Sequence, residues 1–340
     1  MSNTVDVAVV GATGVVGETF LELLAEREFP INNLYALASE NSVDEVVMFN
    51  GKPIKVQDVA EFDFEKVQYA FFSAGEKISA LYAPKAADAG CVVIDNSAQF
   101  RYDPEIPLVV PEVNPSALVN YRARNIIANP NCSTIQLVVA LKPIYDAVGI
   151  TRVNVATYQS VSGAGRNGIE ELATQTAQLL NGSSIDAKAF PQQIAFNVIP
   201  HIDRFEDNGY TREEMKLFWE TQKIMGDPNI LVNATAVRVP VFYGHSEAVH
   251  LETDQPIDLD SLLALLRDAP GISLFEGDGY PTPVTDAASQ DKVFIGRVRL
   301  DITHPNGIDL WVVSDNVRKG AALNAVQIAE LLLQDSFYLQ

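Results

Sequence analysis

Cysteine is close to absent from this chain, with two in 340 residues. That excludes a disulfide framework and fits a reducing compartment. Basic side chains are scarce as well: 24 Lys and Arg stand against 44 Asp and Glu, a formal net charge of −20, which repels nucleic-acid backbones and anionic lipid alike. Long apolar runs are missing. The stretch Ile135 to Leu141 is cut by Lys142 and Pro143, far short of the roughly 18 to 20 residues that span a bilayer. Met1 to Asp6 carries no basic segment and leads straight into the apolar Val7 to Val10, so neither a secretory signal nor a transit peptide is expected. With 47% apolar residues, what remains is a cytoplasmic globular protein large enough for two cored domains, with no nucleic-acid or membrane partner. The negative field also opposes anionic ligands at long range. Moderate salt is expected to improve capture of a phosphorylated ligand, and a KM that rises steadily with ionic strength would contradict this.

What is present is a strand-and-helix rhythm. Val5 to Val10 reads as a strand, Val15 to Arg27 as an amphipathic helix stopped at Pro30, and Leu34 to Ala38 as the next strand, which makes a βαβ unit. A hairpin turned by Asn50-Gly51, a strand Tyr69 to Ser73, a helix Ile78 to Ala89 ended by Gly90, and a strand Cys91 to Asp95 continue the pattern. The spacing predicts an α/β fold, a Rossmann-type doubly wound parallel sheet over residues 1–128. After Asn129 the texture changes. Helices are expected at Ser133 to Ala147, Gly168 to Leu180 and Arg212 to Ile224. Strands are expected at Val153 to Tyr158, Leu231 to Val241, Glu247 to Thr253, Val293 to Thr303 and Ile308 to Val313. Their alternation suits a mixed or antiparallel sheet with one covered face, so residues 129–318 read as an α+β catalytic domain. A closing helix within 319–340 is expected to complete the first domain.

Gly11-Ala12-Thr13-Gly14-Val15-Val16-Gly17 follows a strand and opens a helix. In that context backbone N–H groups and a helix N-terminus cradle a pyrophosphate, which implies a nicotinamide dinucleotide. A tight turn without ligand is the bland alternative, and three glycines at the first βα turn make it the lesser one. The segment after the second strand, Ser39-Glu40-Asn41-Ser42-Val43-Asp44-Glu45, contains no arginine. Acid there favours a free ribose 2′-OH.

Cys132 sits in Asn129-Pro130-Asn131-Cys132-Ser133-Thr134, directly before an apolar helix. A helix start lowers a thiol pKa and can hold the oxyanion of a tetrahedral intermediate. Cys91, in Gly90-Cys91-Val92-Val93-Ile94, reads as core. A thiolate nucleophile needs a proton carrier, and the four histidines are His201, His245, His250 and His304. His245 is the best placed, because Gly244 lets it and Arg238 project toward one cleft. His250 and His304 read as structure or surface, and His201 stays undecided. Arg238 suits bidentate recognition of a carboxylate, or an ordinary strand ion pair. Glu213 and Lys216, three apart on a predicted helix, would ordinarily be a solvated pair. No metal site is expected.

G-A-T-G-V-V-G, N-P-N-C-S-T-I-Q, Y-Q-S-V-S-G-A-G, E-E-M-K and R-V-P-V-F-Y-G-H-S occur in that order over the whole chain, and together they resemble aspartate-semialdehyde dehydrogenase. The resemblance implies that Cys132 is an acyl-thioester nucleophile and His245 the acid–base residue, with Gln159 orienting the substrate. Arg238 would hold the α-carboxylate and Glu213 the α-amine, while Arg101 and Lys216 would receive phosphate and Asn131 would join the substrate site. Gly11, Thr13, Gly14, Val15, Val16, Gly17, Ser162, Gly163 and Asn316 would serve the dinucleotide, with Ser39, Asn41 and Ser42 at its 2′ position. The implied reaction is reversible, NADPH-dependent reductive dephosphorylation of L-4-aspartyl phosphate, feeding lysine, methionine and threonine synthesis, in a homodimer paired through the second domain. One departure bears on the cofactor: Ala38-Ser39-Glu40-Asn41-Ser42 stands where A-S-x-R-S is expected, so NAD enters beside NADP. A second leaves the chemistry untouched, since Ala236 and Val237 stand where a cysteine is expected before Arg238.

Two alternatives remain at this level. N-acetyl-glutamyl-phosphate reductase shares the Cys and His logic, but glycine would be expected before the cysteine, where Asn131 stands, and no G-H-S ending. A non-catalytic member of the fold would be expected to have lost some of Cys132, Gln159, Arg238 and His245.

Overall fold

The structure is a computed structural model that describes residues 4–334. Contacts divide the chain into two units, residues 1–131 with 321–340, and Cys132–Gly320. The first unit keeps three residues beyond the expected boundary at 128. Asn129 explains this, for its amide donates to Asn96 Oδ1 (2.7 Å) and the Ala321 carbonyl (3.1 Å) and accepts from Asn324 (2.7 Å), all in the first unit.

In chain order the first unit contains β1 (Val5–Val10), α1 (Val15–Glu26), β2 (Ile31–Ala38), β3 (Val46–Phe49), β4 (Lys52–Lys55), β5 (Gln57–Asp58), β6 (Tyr69–Phe72), α2 (Glu76–Asp88), β7 (Val92–Asp95) and β8 (Ile126–Ala128). Among the described residues its main sheet runs β5-β2-β1-β6-β7-β8, parallel throughout. The strands are nearly continuous apolar runs because both faces are covered. Val7, Val9 and Phe71 alternate into one core with Phe20 and Leu24 of α1, while Ala8, Val10 and Phe72 are buried on the other side. β1 pairs with β2 on one side and β6 on the other, so its carboxyl end is the switch point where such sheets bind ligands. Positive φ at both Asn50 (48°) and Gly51 (71°) gives the tight turn between β3 and β4. The 3₁₀ segment Pro115–Ala123 and the short β8 carry too little periodicity to be read from sequence.

The second unit contains α3 (Cys132–Val148), β9 (Arg152–Gln159), α4 (Gly165–Leu180), α5 (Arg212–Met225), β10 (Leu231–Arg238), β11 (His245–Glu252), α6 (Leu259–Asp268), β12 (Ile272–Leu274), β13 (Val293–Leu300) and β14 (Gly307–Ser314). Its sheet order is β10-β9-β11-β14-β13-β12 among the described residues. The β10/β9 and β12/β13 pairs are parallel and the other three antiparallel. β10 stops at Arg238 rather than Val241 because Pro240 has no N–H for the ladder. β13 stops at Leu300 rather than Thr303, since Asp301 turns the chain by accepting from the Thr303 N–H (2.7 Å). α6, not anticipated, starts on an Asp258 cap that accepts from the Ser261 N–H (2.9 Å). Every residue from Ser133 to Leu141 is buried, so the first half of α3 has no solvent face, and exposure begins only toward its end at Asp146 and Ala147.

The last helix, α7 (Leu323–Gln334), belongs to the first unit. It buries Val326, Ile328, Ala329 and Leu332 in the same core as α1. Residues 335–340 of the expected closing helix lie outside the described residues.

Candidate active site

In the first unit the glycine turn is shaped by close approach. Gly11 has φ +87°, and a Cβ there would lie 2.9 Å from the Ser73 carbonyl carbon; at Gly17 it would lie 2.0 Å from the Gly11 oxygen. Only glycine lets α1 pass so near the end of β1. Gly14 caps α1 without a side-chain hydrogen bond, so the helix start beside Thr13, Val15 and Val16 has the backbone cradle a pyrophosphate fits. Ser39 caps a single 3₁₀ turn, Glu40–Ser42, and Asn41 is exposed. The neighbouring cation Lys55 reaches Asp44 (2.7 Å). Arg101 is buried at the carboxyl ends of β7 and β8, donating to the carbonyls of Asn96 (2.8 Å) and Asn129 (2.9 Å). Asn131 is buried at the end of this unit.

The second unit gathers most of the remaining candidates. Cys132 is the first residue of α3, with Gly320 so close that a Cβ there would stand 2.9 Å from the Cys132 Cβ. His245 opens β11 and is 0% exposed. Its Nδ1 accepts from the Ser160 backbone N–H (3.1 Å), which fixes the neutral tautomer with its proton on Nε2, and Nε2 has no partner among the described residues. Burial, then the Arg238 charge, hold the imidazole down at about 3.

Arg238 ends β10, level with Gln159 at the end of β9. One of its N–H groups donates to the Ser160 carbonyl (2.7 Å), and Phe190 lies against the guanidinium, 5.8 Å from centroid to Cζ. Burial lowers the Arg238 pKa, with the charges of Glu213 and Cys132 acting the other way. Gly163 is the point of convergence: a Cβ there would be 2.8 Å from Arg238 Nη1 and 3.5 Å from His245 Nε2.

Glu213 follows from how α5 begins. Thr211 and Glu214 form a reciprocal capping box, and Glu214 also accepts from the Ala236 N–H (2.9 Å). That pins the first turn to β10, with a cap contribution of about 1 kcal/mol. Glu213, in that turn, accepts from Gln159 Nε2 (3.2 Å) and pairs with Lys216 (3.0 Å), which also reaches Asp203 (2.9 Å). Glu213 is 5% exposed, so this is not the solvated pair its spacing suggested. Asn316 Oδ1 accepts from Ser160, Ser162 and the Gly244 N–H (2.9 to 3.1 Å), a hub that braces the loop holding His245. His201 stacks on Phe205, His250 pairs with Asp309, and His304 closes a turn with Asn306.

The semialdehyde dehydrogenase NAD binding domain matches residues 6–121, and the semialdehyde dehydrogenase dimerisation domain matches residues 141–319. Aspartate-semialdehyde dehydrogenase 2 of Vibrio cholerae is 64% identical over 99% of this chain and 100% of its own length. The chain belongs to the aspartate-semialdehyde dehydrogenase family. The crystal structure of the V. cholerae enzyme II complexed with ASA superposes with a TM-score of 0.98, covering 99% of this chain and 100% of that one. The Candida albicans aspartate-semialdehyde dehydrogenase with NADP, 25% identical, gives 0.77 over 97% and 99%.

Within this family framework, three further residues of consequence were not marked by the sequence. Ser160 was visible only as part of the Y-Q-S-V-S-G-A-G run, yet its N–H and C=O hold His245 and Arg238. Phe190 comes from the irregular stretch between α4 and α5, where no periodicity marks it. Glu247 opens the expected strand, but His245 lies outside that range; only because β11 begins at His245 does the two-residue spacing put both on one face.

Proposed function

We propose that this chain catalyses the reversible reductive dephosphorylation of L-4-aspartyl phosphate to L-aspartate 4-semialdehyde. The observation that carries this reading is the gathering, inside one unit, of a helix-start thiol, a buried imidazole with an unpartnered Nε2, a guanidinium and a carboxylate. Full-length relatives bearing the family name, one solved with ASA, support the substrate class.

Cys132, as thiolate, attacks the acyl carbon. The S–C bond forms, the C–O bond to phosphate breaks, and phosphate leaves with the electron pair, giving a thioester. His245 keeps the acid–base role that the resemblance implies, its Nε2–H being the proton at hand for the oxygen that becomes anionic, which the first N–H groups of α3 also stabilise. Arg238 takes the α-carboxylate, Glu213 the α-ammonium, and Gln159, itself held by Glu213, orients the carbonyl. Lys216 is proposed as a phosphate ligand; Arg101 and Asn131 keep their substrate roles on the resemblance alone. A reduced nicotinamide dinucleotide, when bound, would supply the hydride to the thioester carbon; the C–S bond then breaks, Cys132 keeping the electron pair as thiolate, and the semialdehyde leaves. The glycine turn is fitted to its pyrophosphate, and Ser162, Gly163 and Asn316 keep the dinucleotide contacts that the resemblance implies. The protein is proposed to act in the cytoplasm as a homodimer. The dimerisation-domain match and the open face of the second sheet, where Tyr158 and Trp311 lie in ring contact (5.7 Å), support the pairing.

NADP is the proposed cofactor, with NAD accepted. Asn41 stands where an arginine would grip the 2′-phosphate, and Lys55 is engaged by Asp44. Mixing the protein with semialdehyde, phosphate and either NAD or NADP, and following reduced nicotinamide by absorbance, is expected to give turnover with both. Their kcat/KM values should differ by no more than about ten-fold, and Asn41→Arg should lower the KM for NADP by about ten-fold, as one charge-assisted contact implies. Strict NADP selectivity in the parent would refute the cofactor reading. No turnover with either would favour a non-catalytic role.

A further inference from the structure

Behind the reacting pair lies a buried acid that the proposed chemistry does not use. Glu247 follows His245 by two residues on β11, so both point to the helix-covered face of the sheet. It is 0% exposed, and among the described residues neither carboxyl oxygen has a partner in good hydrogen-bond geometry; the same holds for both polar atoms of the Gln136 amide, 1% exposed. Gln136 is on α3, four residues beyond Cys132 and thus one turn along the same helix face. Its amide is the polar group that faces the Glu247 carboxyl. Glu247 is opposite Thr157 on β9 and Val312 on β14, and the Thr157 hydroxyl accepts from Gln159 Nε2 (3.3 Å). Gln136 and Glu247 therefore repeat, one layer deeper, the helix-to-strand relation of Cys132 and His245.

Four enclosed polar atoms without partners are costly, and native interiors rarely keep them. One small rearrangement satisfies all four: the acid O–H donates to Gln136 Oε1, and Gln136 Nε2–H donates to the acid carbonyl. An ionised carboxylate would leave Gln136 Oε1 without a donor. We propose that Glu247 and Gln136 form a buried acid–amide latch that ties α3 to β11 and holds Cys132 in register with His245, which makes Glu247 a positioning residue. The proposal rests on Cys132 and His245 being the reacting pair. Burial pushes the Glu247 carboxyl well above the usual carboxylate range, with Gln136 acting against it, which agrees with a protonated acid. On the strands around it His245 shares its face, while Arg152 and Tyr158 of β9, His250 and Glu252 of β11 and Asp309 of β14 alternate to the other face; α3 carries Cys132 one turn before Gln136 and Lys142, Tyr145 and Asp146 beyond it, and α5, which packs on α3, carries the buried Glu213, Glu214 and Glu220.

The test uses Glu247→Gln, Glu247→Leu, Glu247→Leu with Gln136→Leu, and Cys132→Ala in the full chain. Glutamine can make the same reciprocal pair, so Glu247→Gln is expected to keep kcat within about three-fold, while Glu247→Leu loses about ten-fold or more with the semialdehyde KM little changed. The double leucine variant leaves no orphaned amide and is expected to recover Tm but not kcat. A carboxyl raised in the folded state carries a proton that the unfolded chain releases above the ordinary 4.5. Stability thus falls as pH rises from there, and the Tm advantage of Glu247→Gln over the parent should grow between about pH 5 and pH 8. Parental kcat in either leucine variant overturns the latch, and so does a Glu247→Gln as impaired as Glu247→Leu, which would place the requirement in a charge. Activity in Cys132→Ala would instead overturn the underlying assignment, and its absence beside a fully active Glu247→Leu sinks the latch alone.

Discussion

Replacing Cys132 with serine is expected to lower kcat/KM by about 10⁴-fold or more, the scale seen when a covalent nucleophile is removed from a site whose other members stay in place. The fold should be unaffected. Serine is close to isosteric, suits the first position of α3, and keeps the tight contact between Cβ and Gly320. A loss of activity with an unchanged Tm separates chemistry from folding. The two thiols should also separate under alkylation. Cys91 is 0% exposed and its thiol is pushed up to about 12 by burial, whereas Cys132 is partly exposed at a helix start. Iodoacetamide is therefore expected to add once, at Cys132, with loss of activity in parallel; labelling of Cys91 at a comparable rate would contradict this. The imidazole partner sets the pH behaviour. Because His245 is held at about 3 against an ordinary 6.5, it is neutral throughout the assay range. It favours the folded state above 6.5, and that contribution is lost as pH falls toward the folded value. No inflection in kcat/KM from this residue is expected between about pH 5 and pH 8. An inflection near the ordinary imidazole value that vanishes in His245→Asn would contradict the burial argument.

The sequence exposed the parts of this molecule whose physics is local. Apolar runs, glycines needing a positive φ, and a cysteine before an apolar helix announce themselves within a few residues, which is why β1, the glycine turn, α1 and the start of α3 are legible. Strand ends were less so, because a ladder stops where a neighbour stops or a proline intervenes, as at Pro240. Burial of charge was hidden for a different reason. Glu213 looked like half of a solvated helical pair until β9 and β10 closed over it, and Gln159 can reach it only after the chain returns through more than fifty residues. Asn316 shows the same limit. Its resemblance-implied role faces a ligand, yet the amide oxygen braces Ser160, Ser162 and Gly244 around His245. No spacing rule reveals a hydrogen-bond hub assembled from three distant segments.

Arg238 should govern substrate affinity, and the surroundings of its guanidinium explain why lysine cannot replace it. One N–H is committed to the Ser160 carbonyl, Phe190 presses on the planar group, Gly163 leaves no space beside it, and Glu213 and Cys132 supply the compensating charge. The remaining N–H groups are thereby held in a fixed plane, as bidentate capture of a carboxylate requires. Arg238→Lys is expected to raise the semialdehyde KM by about 10²-fold, the scale of a broken buried charge pair. Phe190→Leu keeps the guanidinium but removes the ring that flattens it, and its expected cost is about 1 kcal/mol, close to a five-fold rise in KM with kcat preserved. The irregular stretch should still be held in the variant, since Gln175 Oε1 accepts from the N–H groups of Ile194 (3.0 Å) and Ala195 (3.2 Å). A change of substrate isolates the carboxylate contact. With an aldehyde lacking the α-carboxylate, both variants should approach the parent, because the contact they impair no longer exists. If either substitution lowers kcat and leaves KM alone, Arg238 is acting on the reacting carbonyl instead, and the carboxylate must be held elsewhere.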